Sequence, residues 1–266
     1  MIPPVLLVGC GRMGGAMLAG WRERGLSASV AVDPAPTAAT LAGPDVRVIP
    51  GPAAIPADFA PAAIVLAVKP QNAAETLPAY ARFAGSAVFL SIMAGRTIAG
   101  IGNLLGPQAA IVRAMPNTPA AVRQGITVAC PSAGVGERQR GLCDTLLQAI
   151  GIVAWVEDEA LLDPVTAVSG SGPAYVFLLA ELMEQAAIEQ GIPPDLARIL
   201  ARQTVSGSGA LLAASTESSA ELRRAVTSPG GTTERALGVL MASEAWPEAV
   251  SRAIAAATAR SRELAG

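Results

Sequence analysis

The chain has 266 residues, of which 52% are hydrophobic, 15% charged and 3% aromatic, and its formal net charge is −2. That balance offers no basic face to nucleic acid and too few rings for a base-stacking platform, while the length suits two domains that fold without disulfide or metal staples. Histidine is absent and Lys69 is the only lysine, which excludes Ser-His-Asp and Cys-His nucleophile pairs, histidine-ligated metals and an imidazole general acid.

In chain order, Met1-Ile2-Pro3-Pro4-Val5 has no basic stretch and runs straight into a strand pattern, so the reading expects no leader sequence and a cytoplasmic location. Val5 to Val8 is predicted as a buried strand, followed by a helix from about Met13 to Arg24. Val30 to Val32, Val46 to Ile49, Ile64 to Val68, Val88 to Ile92 and Ala110 to Arg113 read as further strands, with Ala/Leu-rich helices between several of them. Ile126 to Ala129 and Ile152 to Trp155 could extend the sheet around a helix from about Glu137 to Ile150. Such alternation predicts an α/β domain with a parallel sheet covered on both faces.

After Glu157 the strand signal stops, and Tyr175, Leu178, Leu179, Leu182 and Ala186 fall at helical spacing. Gly191-Ile192-Pro193-Pro194 ends that helix, and a final helix runs from about Trp246 to Glu263. The expected division is a dinucleotide-binding domain at 1–160 and an all-α domain at 161–266. So apolar an all-α domain predicts a face covered by another subunit, hence a homo-oligomer. The apolar runs are too short for the roughly 20 residues of a membrane span, and no membrane partner is expected. Cys10, Cys130 and Cys143 lack any CxxC or Cys/His spacing, which predicts reduced, buried thiols and no metal.

Gly9-Cys10-Gly11-Arg12-Met13-Gly14 fits GxGxxG between a strand and a helix. Gly9 allows the tight turn, Gly11 the approach of a pyrophosphate, and Gly14 close packing of helix on strand. The helix dipole and free N–H groups would hold the anion. Asp33 ends the second strand, where an acid binds ribose hydroxyls and repels a 2′-phosphate; it also begins an Asp33-Pro34 turn, and Arg12 could offset its charge. Ligands lie at the carboxyl edge of such sheets, which brings in Ala67-Val68-Lys69-Pro70, Ala94-Gly95 and Asn117 of the Met115-Pro116-Asn117-Thr118-Pro119 turn. In the helical part, Ser169-Gly170-Ser171-Gly172-Pro173 and Thr227-Ser228-Pro229-Gly230-Gly231-Thr232-Thr233 each precede a helix and read either as plain turns or as carboxylate sites.

These blocks, in this order, resemble the pyrroline-5-carboxylate reductase family along essentially the whole chain. The resemblance implies a Rossmann-type domain followed by a helical substrate domain that dimerises by interleaving helices. It further implies NAD(P)H-dependent reduction of 1-pyrroline-5-carboxylate to L-proline. On the matching positions, Ser228, Gly230, Gly231, Thr232 and Thr233 would bind the substrate, with the catalytic Thr233 facing the imine nitrogen and Glu159 a further substrate contact. The family leans to NADPH, whereas Asp33 leans to NADH. A protonated imine is already electrophilic, so orientation, worth about 7–11 kcal/mol, suffices without histidine or a lysine acid. Hydroxyacid dehydrogenases with a lysine in their helical domain are excluded, since no lysine follows Lys69. A Tyr-x-x-x-Lys enzyme is also excluded, because Leu179 stands four residues after Tyr175. A reductase of another cyclic imino acid, or a non-catalytic dinucleotide sensor, remains as the alternative.

Overall fold

The computed structural model describes residues 1–265. Strands β1 (Val5–Val8), β2 (Ser29–Val32), β3 (Val46–Ile49), β4 (Ala63–Leu66), β5 (Val88–Ser91), β6 (Ala110–Met115), β7 (Gly125–Pro131) and β8 (Gly151–Trp155) form one sheet in the order β3-β2-β1-β4-β5-β6-β7-β8. Every residue of β1, β2, β4 and β5 is buried, as strands covered on both faces must be. Pairing is parallel from β3 through β6 and again between β7 and β8. The β6–β7 pair departs from the expected parallel sheet and runs antiparallel. Only a 3-10 turn, Thr118–Val122, lies between them, and a parallel crossover needs a dozen or more residues.

On one face, α1 (Arg12–Glu23) brings Met17, Leu18 and Trp21 into the same core as Cys143, Leu146 and Leu147, which lie on a later helix, Glu137–Gln148. The Trp21 indole N–H donates to Leu146 O at 2.9 Å, satisfying the one polar atom of a fully buried ring. The opposite face is covered by α2 (Ala73–Thr76), a 3-10 stretch Leu77–Phe83 and α3 (Ile98–Leu105), which bury Leu77, Tyr80, Ile101 and Leu105. The Glu137–Gln148 helix is α4. The order of strands reverses around β1 and β4, so their carboxyl ends form the crevice where open α/β sheets hold ligands.

Beyond β8 come α5 (Leu162–Val165), a π-helical turn Thr166–Gly170, α6 (Gly172–Glu189), α7 (Pro194–Ala214), α8 (Ser219–Ala225), α9 (Thr232–Leu240) and α10 (Trp246–Ala265). The chain divides into two compact units: Met1–Gly170 together with the chain from Ala257 on, and Ser171–Ala256. The strand pattern ends near residue 160, but the first unit continues ten residues further. Leu162 is fully buried beside Val128 and Cys130, so this helical stretch belongs to the sheet's core. The end of α10 returns to the same unit, where Ser261 Oγ donates to Asp163 Oδ1 at 2.7 Å.

Within the second unit the helices bury little. No residue of α6, α8 or α9 is buried, while Phe177 and Ile199 are 67% and 61% exposed. Between α6 and α7 runs an open groove of about 1130 Å³ lined by Val176, Phe177, Ile188, Arg198, Ile199 and Arg202. Contrary to the expectation from short apolar runs, one helical run, Glu159–Glu189, is long and apolar enough by composition alone to cross a bilayer, with a mean hydropathy of 1.3. It carries Glu181 and Glu184, and only 6% of its window is buried. An exposed apolar face of this extent marks an interaction surface.

Candidate active site

In the first unit the glycine motif lies at the carboxyl end of β1. Gly9 has φ of +95°, and a Cβ there would stand 2.7 Å from Ala67 O in the loop after β4. Only glycine allows both the turn and the packing of the two loops. A Cβ on Gly14 would be driven into Gly9 O, so α1 sits as close to its own loop as the backbone permits. Gly11 is the N-cap of α1, makes no side-chain cap, and has nothing within 4 Å of its would-be Cβ. The first turn of α1, with Arg12 and Met13, carries no acid. Open space, uncapped N–H groups and a positive helix end together fit a pyrophosphate.

Asp33 follows β2 and stands against this motif: its Oδ2 accepts the Cys10 N–H at 2.7 Å, and its Oδ1 accepts the Ala35 N–H at 2.8 Å. The second bond is the Asp-Pro turn anticipated from sequence; the first holds the carboxylate beside the glycine loop. Burial, with the Asp33 charge adding to it, pushes the Cys10 thiol up to about 11. It is therefore a neutral thiol at pH 7, not a nucleophile.

The other edge loops converge around this point. Lys69 is exposed at the end of the β4 loop, and among the described residues it has no ion-pair partner. Arg96, which sequence reasoning missed, donates from Nε to Pro70 O at 2.9 Å. It ties Ala67-Val68-Lys69-Pro70 to Ala94-Gly95, and a charged residue directly after a glycine at a strand end is the signal that could have revealed it. Gly95 is itself covered by Leu264 of α10, whose Cβ would lie 3.1 Å from a side chain there. Asn117 does not present its amide at the edge. Its Oδ1 accepts the Ile126 N–H at 3.0 Å and its Nδ2 donates to Ser169 O at 3.1 Å.

Glu159 is also engaged within the first unit: Oε1 accepts both Arg113 Nη1 and the Ile98 N–H at 2.8 Å. Arg113 is 4% exposed on β6, and a guanidinium buried that deeply needs a counter-charge. These two bonds on Oε1 make Glu159 the counter-charge of Arg113 and a cap on the start of α3.

In the second unit, Thr227–Thr233 turns into α9. Gly231 donates to Ser228 O at 3.0 Å and is the N-cap of α9, again without a side-chain cap. Gly230 takes φ of +72°, a conformation glycine adopts without strain. Glu234, unremarked in the sequence reading, accepts the Gly230 N–H at 2.8 Å. Ser228, Gly230 and Thr232 are exposed, Gly231 and Thr233 partly so. The Glu234 carboxylate thus occupies one backbone donor of this loop.

The family model for pyrroline-5-carboxylate reductase dimerisation matches residues 159–264, and one for coenzyme F420-dependent NADP oxidoreductases matches residues 4–95. A pyrroline-5-carboxylate reductase of Pseudomonas aeruginosa is 39% identical over 270 residues, covering 99% of this chain and 97% of its own. One from Synechocystis is 40% identical over 76% of this chain and 74% of its own. Among solved structures, the Coxiella burnetii pyrroline-5-carboxylate reductase superposes with a TM-score of 0.90 at 30% identity, covering 98% of both chains. The Plasmodium falciparum pyrroline carboxylate reductase with NADP bound gives 0.83 at 26% identity, covering 99% of both. The chain belongs to the pyrroline-5-carboxylate reductase family.

Proposed function

We propose that this chain catalyses the NAD(P)H-dependent reduction of 1-pyrroline-5-carboxylate to L-proline, the last step of proline synthesis, in the cytoplasm. The observation that carries the reading is the presence, in one chain, of two uncapped helix starts of different design. One is the open Gly11 cap of α1; the other is the Gly230-Gly231 turn into α9, where a carboxylate already sits. The first suits a pyrophosphate, the second an amino-acid carboxylate. The nicotinamide supplies the hydride. The Gly9–Gly14 backbone, Ala67–Pro70 and Ala94–Gly95 hold the dinucleotide, with Lys69 free to meet an oxygen of it. Ser228, Gly230, Gly231 and Thr232 fix the substrate carboxylate, displacing Glu234 from the Gly230 N–H, and the Thr233 hydroxyl bonds the imine nitrogen. Reduction requires the ring carbon to face the nicotinamide, and this positioning is the protein's contribution.

Asp33, held beside the glycine loop by the Cys10 N–H, favours ribose hydroxyls over a 2′-phosphate; NADH is the preferred donor. A second copy covers the apolar faces of α6 and α7, giving a homodimer that can assemble further. Steady loss of NADH absorbance on adding 1-pyrroline-5-carboxylate tests the reaction. No oxidation with this imine but turnover of a six-membered imino acid would reassign the substrate. Dinucleotide binding without turnover of either would make the protein a sensor.

A further inference from the structure

Asn117 stands at the N-cap position of the Thr118–Val122 turn, where an asparagine ordinarily caps the backbone next to it, yet it makes no such bond. Its amide is buried, 9% exposed, and spans two distant segments: Ile126 at the start of β7 and Ser169 in the π turn. The Ser169 carbonyl has a specific need for this partner. In a regular α-helix it would accept the N–H of the residue four ahead, and that residue is Pro173. Proline has no N–H, and its ring crowds the carbonyl four residues back, which forces the chain out of α-geometry. The next N–H, that of Ala174, is bonded to Ser171 O at 2.9 Å. The helix therefore widens into a π turn over Thr166–Gly170, and the carbonyl freed by the proline is satisfied from the turn that follows β6. Met115, two residues before Asn117, closes the other side: a Cβ on Gly170 would lie 2.8 Å from its Cε.

We propose that Asn117 is a positioning residue: by holding the carbonyl that Pro173 orphans, it fixes where the chain leaves the sheet and enters α6. It acts on hydride geometry without binding the dinucleotide. The inference rests on the reductase reading for its catalytic consequence, and on this bond alone for its structural one. It reassigns Asn117 from cofactor contact to anchor, and gives the proline and the asparagine of two separate motifs a joint purpose.

Asn117→Asp keeps an acceptor for Ile126 but sets a carboxylate against Ser169 O. The expected result is a fall in kcat on the order of tenfold to a hundredfold, with the Kd for NADH unchanged and faster amide exchange over residues 170–175. Adding Pro173→Ala returns an N–H to the Ser169 carbonyl and is expected to recover much of both losses. An unchanged kcat, or a raised NADH Kd with kcat intact, overturns the proposal, as does a double variant no better protected than Asn117→Asp. Should Asn117→Asp fail to fold, Asn117→Ser, whose hydroxyl is too short to reach Ser169, is read by the same three measurements. A wild-type protein inactive on 1-pyrroline-5-carboxylate would remove the proposed reaction, while the exchange comparison still decides whether Asn117 holds the turn.

Discussion

Replacing Gly11 by alanine separates folding from cofactor binding. Gly11 has φ of −63° and ψ of −169°, a conformation alanine adopts freely. Its Cβ would meet nothing within 4 Å, so the unliganded protein has room for it. Removing a glycine from the unfolded chain stabilises by about 0.4–1 kcal/mol, and alanine is a poorer N-cap than glycine by a similar amount. The two offset, and the Tm without cofactor should move by no more than about 2–4 °C, the equivalent of 1 kcal/mol in a chain of this size. The added methyl does, however, fill the space before the α1 N–H groups. Losing one hydrogen bond to a charged phosphate oxygen costs about 1.5–3 kcal/mol, which is roughly a tenfold to hundredfold rise in Kd. Thermal unfolding without cofactor and an NADH fluorescence titration read the two effects. Gly14→Ala is the contrasting variant, since its methyl runs into Gly9 O and overpacking of about 1–3 kcal/mol lowers the Tm directly. If Gly11→Ala bound NADH like wild type, the pyrophosphate would not lie at this helix start.

Thr233→Ala should lower kcat substantially in steady-state assays while NADH binding survives; wild-type turnover would remove Thr233 from the site. Asp33→Ser should shift the NADH-to-NADPH ratio of kcat/KM toward NADPH, and an unaltered ratio would leave Asp33 as the start of a turn only. Burial raises the Cys10, Cys143 and Tyr80 groups to about 11, 12 and 12. Folding therefore favours their neutral forms, and that stability is complete below pH 9, where the unfolded thiols begin to ionise, and is lost between roughly pH 9 and 12. Chemical denaturation at pH 7 and pH 10.5 should show a lower midpoint at the higher pH; equal midpoints would contradict the burial of these groups.

The central strands were legible because buried parallel strands write continuous apolar runs, as in Val5–Val8 and Ala63–Leu66. The glycine motif was legible because its spacing encodes a turn, a cap and a packing contact at once. Hidden from view were the features that depend on which distant segment a residue meets. Periodicity does not record strand direction, so the reversal at β7 went unseen, although the short connection between Met115 and Gly125 leaves no room for a parallel crossover. The return of α10 onto the first unit rests on Ser261 and Leu264 meeting Asp163 and Gly95, and no local pattern announces such partners. The pairing of Glu159 with the buried Arg113 was likewise hidden, because the two lie 46 positions apart.

A chain without histidine places its chemistry in what its residues leave out. At Gly9 and Gly14 the useful property is a missing side chain, which lets one segment lie on another, and in the proposed reading Gly11 and Gly231 would likewise leave backbone N–H groups open to an anion. At Pro173 it is a missing N–H, and the resulting gap in the helix is where Asn117 takes hold. Such a site needs no tuned pKa, because an iminium requires orientation more than acid–base help. It is correspondingly vulnerable to added atoms. Substitutions that enlarge these positions should be more damaging than the loss of exposed charges such as Arg252 or Arg260, whose ion pairs lie in solvent and contribute at most about 1 kcal/mol.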